Sequence, residues 1–435
     1  MRANITEREV SRSPLLEIER AVQGDAERLR LDPGDPVDRD RLGALIDDHI
    51  AEWNDDHRRG RRDRPIADPG GLAGRARRNL LGYGPLTPLL DDPDVWEIMV
   101  NAPDQIFVKR HRGPSGYHHE IFHDDDHVAR TITKLLDDNS VSHRKLDPAE
   151  GLQDAHLDDG SRLHLVHRDL TRGGHLVANI RRFTGVGFRQ LDQLVETGTL
   201  DAHSAAVLRA LVAAQRSIVV AGAPGSGKTT LLSCLCAELD PSLRVVVAEE
   251  VIEADIPVPN VAGLQTRPAR GERDRVDLRR LVSGFLRMAP DVAIVGEVRD
   301  REALPLLLTL SSGVTGYTTI HAASARRALT RLRFVAQLDP AAAQLSVAAL
   351  NHLVADSIDV VVHLRRLDGR PRVTEILAVE DLAAGDAAST FTATELFHRP
   401  APDAPLSWTG QVPVRLSRLA GEYGVDLGDV LRAGS

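Results

Sequence analysis

Ala221-Gly222-Ala223-Pro224-Gly225-Ser226-Gly227-Lys228-Thr229-Thr230 is the stretch around which the rest of the chain is read. The apolar run Ser217-Ile218-Val219-Val220 precedes it, and Leu231-Leu232-Ser233-Cys234-Leu235 follows it. That order reads as strand, glycine-rich turn, helix. The spacing is G-x-x-x-x-G-K-T, a phosphate-binding loop. Glycines let backbone N–H groups converge on phosphate oxygens, and the helix start adds a partial positive charge. In such a loop the lysine, here Lys228, reaches the β- and γ-phosphates, and Thr229 offers its hydroxyl to Mg²⁺. Gly222 to Thr230 are therefore the expected nucleotide-binding residues, with ATP and Mg²⁺ as ligands. Lys228 is also the only lysine from position 146 to the C-terminus.

With 435 residues the chain has room for two or three domains. Hydrophobic residues make up 42% and aromatic residues 3%, so the expected cores are aliphatic. A net charge of −9, from 54 basic and 63 acidic residues, argues against general coating of nucleic acid. The start, Met1-Arg2-Ala3-Asn4-Ile5-Thr6-Glu7-Arg8, lacks the apolar region of a secretory signal. No run reaches the ~18 apolar residues of a membrane span. The expectation is a cytoplasmic protein that meets a membrane through partners and not by insertion. Cys234 and Cys236 sit two apart on the helix after the loop, where side chains do not face each other. Both read as small core hydrophobes and not as a disulfide.

Four segments are expected: a polar, helical stretch over 1–65 ending in an arginine-rich linker, an α+β domain over 66–183, a linker over 184–200, and an ATPase domain with a C-terminal extension over 201–435. Leu15 to Leu31 and Arg41 to Trp53 look helical, around turn residues Asp32 to Pro36. Arg58-Arg59-Gly60-Arg61-Arg62-Asp63-Arg64-Pro65 reads as a solvated linker, with contact to an anionic surface as the functional alternative. In the α+β domain, Val95 to Val100, Gln105 to Lys109, Arg162 to Val166 and His175 to Arg181 alternate as strands do, and Val128 to Leu136 reads as a helix. His119-Glu120-Ile121-Phe122-His123 matches H-E-x-x-H. Zinc chemistry needs that motif on a helix. Between Gly113 to Gly116 and Asp124 to Asp126 it reads instead as a short strand. Phe183 to Phe188 looks like the exit from the domain, and Ala202 to Ala214 like a helix.

Further on, four β-branched runs each end at a residue suited to nucleotide chemistry. Ile218 to Ala221 ends in the phosphate loop, Val245 to Ala248 in Glu249-Glu250, Val292 to Val295 in Gly296-Glu297, and Tyr317 to Ile320 in His321. Continuous apolar runs separated by helical stretches indicate a buried parallel sheet, where ligands bind at the carboxyl ends of the strands. The fold class expected is α/β, preceded by a smaller α+β domain. Hydrolysis of ATP needs cations on the phosphates, an ordered Mg²⁺ and an acceptor that positions water. Glu297 is the candidate for water. Glu249, Glu250 and Glu253 form a second acidic group, and Thr229, Glu250 and Glu297 are the candidate metal-side residues. Arg267 and Arg279 are candidates for transition-state charge, from within the chain or from a neighbouring subunit.

The segments Arg244 to Glu253, Leu264 to Pro268, Leu286 to Asp291, Ile294 to Arg299 and Thr319 to Ala322 resemble the motif set of type II/IV secretion ATPases. They occur in that family's order: Walker A, Asp box, arginine segment, Walker B, His box. The narrower resemblance is to CpaF-type motors of tight-adherence (Tad/Flp) pili. It is supported by Gly84-Pro85-Leu86-Thr87-Pro88-Leu89-Leu90, Glu97-Ile98-Met99-Val100-Asn101, Asp159-Gly160-Ser161-Arg162 and Ile180-Arg181-Arg182-Phe183. The likeness spans roughly residues 70 to 385. It implies a RecA-like ATPase domain, a homo-hexameric ring and inner-membrane platform proteins as partners. It also implies that Arg162 and Arg181 face the nucleotide and that His321 senses the γ-phosphate. Glu250 stands where the family usually has aspartate, Gln265 for glutamate, Ala289 for arginine, Ala323 for asparagine and Ala221 for glycine. Lys228, Thr229, Glu297 and His321 are all kept, which implies an active enzyme. Two other readings compete: a nucleic-acid-translocating motor, discriminated by stimulation with DNA, and a non-hydrolysing nucleotide-binding scaffold, discriminated by turnover.

Overall fold

A computed structural model describes residues 13–110, 113–139, 145–182, 188–267, 274–382 and 390–434. The start Met1 to Arg8, residues 183–187 of the expected exit Phe183 to Phe188, and Pro268 of the arginine segment lie outside the described residues. The chain divides into two units, Met1–Thr184 and Gly185–Ser435.

The first unit opens with three helices, α1 (Pro14–Leu29), α2 (Pro36–Arg58) and α3 (Pro69–Leu81). Each has proline in its first turn, where the missing N–H costs nothing. Asp35 caps α2 by accepting from Val37 and Asp38. Leu15, Ile18, Val22, Ile46, Ile50 and Trp53 pack with Ile66, Ala73 and Ala76 in one apolar cluster. The arginine-rich run is partly held against this layer: the Arg62 guanidinium lies 3.7 Å from the centre of the Trp53 ring and donates to Glu17.

After α4 (Thr87–Asp91) the chain enters an antiparallel sheet of order β3-β2-β1-β6-β5-β4. Its strands are β1 (Val95–Ala102), β2 (Gln105–Arg110), β3 (Gly116–Tyr117), β4 (Leu152–His156), β5 (Arg162–Val166) and β6 (Val177–Arg181). Helix α5 (Asp125–Asp137) contributes Val128, Ile132, Leu135 and Leu136 to the same core as Ile98, Val100, Ile106, Leu163 and Ile180. The H-E-x-x-H residues are neither helix nor strand, which corrects the strand expected over His119 to His123. His118 N–H donates to Ile106 and Phe122 N–H to Pro103, so this segment is tied down bond by bond around the buried Phe122 ring. Glu120 pairs with Arg78 and His123 with Glu19.

The second unit begins with α6 (Leu191–Glu196) and α7 (Ala202–Ala213). Residues 191–200, expected as linker, bury Leu191 and Leu194 of α6, three apart on one helix face, and Leu200 beyond it in the second unit's core. Then follow β7 (Ile218–Gly222), α8 (Lys228–Cys236), β8 (Val245–Glu249), β9 (Val261–Gln265), α9 (Leu278–Val282), β10 (Val292–Val298), α10 (Ala303–Leu310), β11 (Thr315–Ile320), α11 (Ala325–Ala336), α12 (Val347–Ser357), β12 (Val360–Leu367), β13 (Arg370–Val379), β14 (Ala393–His398), β15 (Ser407–Trp408), α13 (Val414–Gly421) and α14 (Leu427–Ala433). The sheet order is β15-β14-β13-β12-β7-β11-β10-β8-β9. From β12 to β9 neighbouring strands run parallel, while β13, β14 and β15 are antiparallel.

The two faces of this sheet explain the continuous apolar runs. Ile218, Val220, Val245, Val247, Val292 and Ile294 enter one core, and Val219, Ala221, Val246, Ala248, Ala293 and Val295 the other. Alternate residues point to opposite faces, and helices cover both, so each strand must be apolar throughout. The α/β fold class read from the sequence is the one observed, with the mostly parallel sheet in the second unit. Both cysteines are free and buried. Burial pushes the Cys234 thiol up to about 12 and raises Cys236 as well. Among the described residues no helix is long and apolar enough to cross a membrane.

Candidate nucleotide-binding and hydrolysis site

The phosphate loop joins the end of β7 to the start of α8. Gly225 has φ +70° and Gly227 φ +95°, which a side chain disfavours. Gly222 is required by close approach: a Cβ there would stand 2.4 Å from the Leu364 carbonyl oxygen and 2.5 Å from Ser226 Oγ. Leu364 lies opposite Gly222 in the β7–β12 ladder, so the neighbouring strand sets this limit. Gly227 takes the N-cap position of α8 with no side-chain cap, which leaves the first-turn N–H groups to the loop. Ser226 Oγ is buried without a hydrogen-bond partner among the described residues. Orphan donors, a buried hydroxyl and a lysine around one turn fit a phosphate chain.

Lys228 Nζ donates to the Ala223 carbonyl at 3.2 Å and lies 3.0 Å from His321 Nδ1. His321 follows β11 and so stands beside the end of β7, its partner strand. On its other side, His321 Nε2 lies 2.8 Å from Glu297 Oε1.

Glu297 owes its position to an irregularity. The β10–β11 register shifts between Val295 and Val298, lifting Gly296 and Glu297 out of the ladder. Threonines of β11 take over the carbonyls involved: Thr318 Oγ1 donates to Val295 at 2.7 Å and Thr319 Oγ1 to Gly296 at 2.8 Å. Burial pushes the Glu297 carboxyl up, but contacts with His321 and Arg299 outweigh it and hold the group at about 2. It is therefore ionised at neutral pH.

The acidic group after β8 divides. Glu249 is buried, and its Oε1 accepts from the backbone N–H groups of Glu253 and Ala254 at 3.2 and 3.1 Å. Gly296 leaves room for it, since a Cβ there would stand 2.9 Å from that oxygen. Glu253 Oε2 lies 3.4 Å from Thr229 Oγ1. Glu250 reaches Arg299 instead, with Nη1 to Oε2 at 3.2 Å. Among the three metal-side candidates, the structure brings Glu250 and Glu297 together through Arg299, and sets Glu253 beside Thr229. Hard oxygens at Thr229 and Glu253 fit Mg²⁺, which keeps several waters and needs few protein ligands.

The remaining candidates lie elsewhere. Arg279, on α9, pairs with the buried Asp339 at 2.5 Å. Arg267 bridges to Val276 and donates to the Asp274 carbonyl at 3.1 Å. Arg162 and Arg181 sit directly opposite each other on β5 and β6 in the first unit. Sequence reasoning passed over Arg299, which contacts both Glu297 and Glu250. The available signal was a cation two residues past a strand-end carboxylate.

Residues 79–389 match the family described as Type II/IV secretion system protein. The type IV secretion system protein PtlH of Bordetella pertussis is 32% identical over 329 residues, covering 69% of this chain and 94% of PtlH. The conjugal transfer protein TrbB of Rhizobium radiobacter is 33% identical over 309 residues, covering 67% of this chain and 85% of TrbB. The X-ray structure of the Legionella pneumophila ATPase DotB superposes with a TM-score of 0.48 at 18% identity, covering 67% of this chain and 79% of that one. At that overlap the assignment rests on the sequences alone. A match across most of the chain, together with these two relatives, shows that the chain belongs to the type II/IV secretion system protein family.

Proposed function

We propose that this protein hydrolyses ATP to drive a secretion or pilus-assembly machine. It works as a homo-hexamer on the cytoplasmic side of the membrane, against inner-membrane platform proteins. A tight-adherence (Tad/Flp) pilus is the proposed machine. The observation that carries the reading is the unbroken line of contacts from Lys228 through His321 and Glu297 to Arg299 and Glu250, drawn from the ends of four parallel strands.

In this reading the phosphate loop cradles the triphosphate with its N–H groups, and Lys228 leaves His321 for the β- and γ-phosphates. Thr229 and Glu253 hold Mg²⁺, directly or through its waters. The metal neutralises phosphate charge and supplies no covalent step. Glu297, ionised, held by Arg299 on one oxygen and facing His321 with the other, orients the attacking water. His321, touching both Lys228 and Glu297, links the state of the phosphates to the state of the carboxylate. Arg279 and Arg267 contribute charge across a subunit boundary. Arg162 and Arg181 keep the nucleotide-facing role that the family resemblance implies.

Turnover by the purified protein with Mg²⁺ and ATP is the first test, with and without DNA. Activity should rise faster than linearly with protein concentration while a ring assembles. Mixing Arg279→Ala with Lys228→Ala subunits should partly restore turnover, since one lends arginines to the other's intact cradle. Strictly proportional turnover by a species that stays monomeric with ATP and Mg²⁺ would remove the ring motor. Stimulation by DNA would favour a nucleic-acid motor, and absence of turnover a scaffold.

A further inference from the structure

Glu250 and Glu297 stand at the carboxyl ends of neighbouring strands, just past the last paired residues. Ala248 of β8 pairs with Val295 of β10, and each glutamate lies two residues beyond that pair. Adjacent strands are about 4.8 Å apart, so two carboxylates are driven together with Glu249 and Glu253 nearby. Like charges at that spacing repel and would swing apart. Arg299 spans them, with Nη1 on Glu250 Oε2 and Nη2 on Glu297 Oε2. Its own anchor is firm: the buried Glu302 accepts from the backbone N–H groups of Arg299 at 2.5 Å and Asp300 at 2.8 Å. The guanidinium is therefore launched from a fixed point. Its planar fork can direct separate N–H groups at two acceptors, which a lysine ammonium does less rigidly.

We propose that Arg299 is a positioning residue for hydrolysis: it clamps Glu297 to Glu250 and so fixes the direction in which Glu297 presents its free lone pairs to water. The proposal rests on the reading of Glu297 as the water-orienting group. Stability is not the reason for the clamp. The side chains of Arg299 and Glu250 are 42% and 50% exposed, and exposed pairs of this kind contribute little to folding. Removing the clamp should fall on turnover and spare the fold.

The full-length protein carrying Arg299→Gln, Arg299→Lys, Glu250→Gln, Glu297→Gln or Glu250→Gln with Arg299→Gln tests this. Three quantities are measured: the melting temperature without nucleotide, affinity for a non-hydrolysable ATP analogue with Mg²⁺, and kcat with KM. Arg299→Gln should lower kcat by about tenfold or more, roughly 1.4 kcal/mol of barrier. Melting temperature should hold, and analogue affinity and KM should move much less than kcat. Arg299→Lys should recover part of the loss. The double variant should turn over about as fast as Arg299→Gln alone, because the clamp is broken once. Wild-type kcat in Arg299→Gln with loss of turnover in Glu297→Gln would overturn the clamp while leaving Glu297 in its role. Wild-type turnover in both would overturn the reading of Glu297 and the clamp with it. A fall in melting temperature and affinity that Arg299→Lys does not repair would make Arg299 structural and overturn the proposal.

Discussion

Lys228 Nζ stands 3.0 Å from His321 Nδ1, so the base of the phosphate loop and the end of β11 share one hydrogen bond across the sheet. An ammonium can only donate, so Nδ1 accepts in this contact, while Nε2 faces Glu297 Oε1 at 2.8 Å. The lysine is thus held at the loop by its neighbours and is placed to change partners when phosphate arrives. Lys228→Ala should leave the fold intact and reduce ATP turnover to background. A melting curve and a phosphate-release assay check this. Turnover above about a tenth of wild type, a barrier change of roughly 1.4 kcal/mol or less, would remove the loop from the catalytic cradle.

Glu297→Gln keeps size and loses charge. Bound between His321 and Arg299, the amide should fit the same space, so ATP should still bind while hydrolysis slows by about a hundredfold, in the range of a lost general base. Equilibrium binding and single-turnover rates separate the two. Glu253→Gln, beside Thr229, should act differently and shift the Mg²⁺ dependence of turnover first.

Gly222→Ala tests the geometry of the cradle. The added methyl meets the Leu364 carbonyl at 2.4 Å and Ser226 Oγ at 2.5 Å. The ladder between β7 and β12 must open or the loop must shift, at a cost of about 1–3 kcal/mol. Chemical denaturation should show that loss in the second unit, together with weaker nucleotide binding.

The first unit should lose stability in acid through His127. Burial pushes its imidazole down to about 3, with the charges of His123 and Arg130 acting the same way and Asp124 opposing. The unfolded chain takes up a proton near pH 6.5 that the folded chain refuses. Stability from this group is therefore full above about pH 6.5 and falls as pH drops toward 3, by up to about 1.4 kcal/mol per pH unit. Unfolding followed at pH 7.5 and pH 5.5 should show the decline, and His127→Leu should flatten it.

The phosphate loop was legible because its chemistry is local: the spacing of Gly222, Gly227, Lys228 and Thr229 is set by one turn and the first turn of one helix. The four strands that carry the site were legible for a related reason. A strand buried on both faces must be apolar at every position, as Val245 to Ala248 and Val292 to Val295 are. Less visible was the segment from His118 to His123, whose shape depends on backbone bonds from His118 to Ile106 and from Phe122 to Pro103, both on a different stretch of the chain.

By itself the sequence determined that the chain carries a G-x-x-x-x-G-K-T loop on a parallel sheet, and in which order its acidic and histidine segments follow. Periodicity and motif spacing depend only on neighbours along the chain, so they survive without coordinates. Only the tertiary structure decided which of those segments meet. Thr229 lies beside Glu253, and Glu250 is joined to Glu297 by Arg299. Arg279 is paired with Asp339, sixty residues on. Those pairings follow from strand order and register: β8 and β10 are neighbours although β9 and α9 intervene in the chain, and a two-residue overhang past Ala248 and Val295 brings their carboxylates to one cation. Register across a sheet is a property of the packed whole, and no local pattern of residues records it.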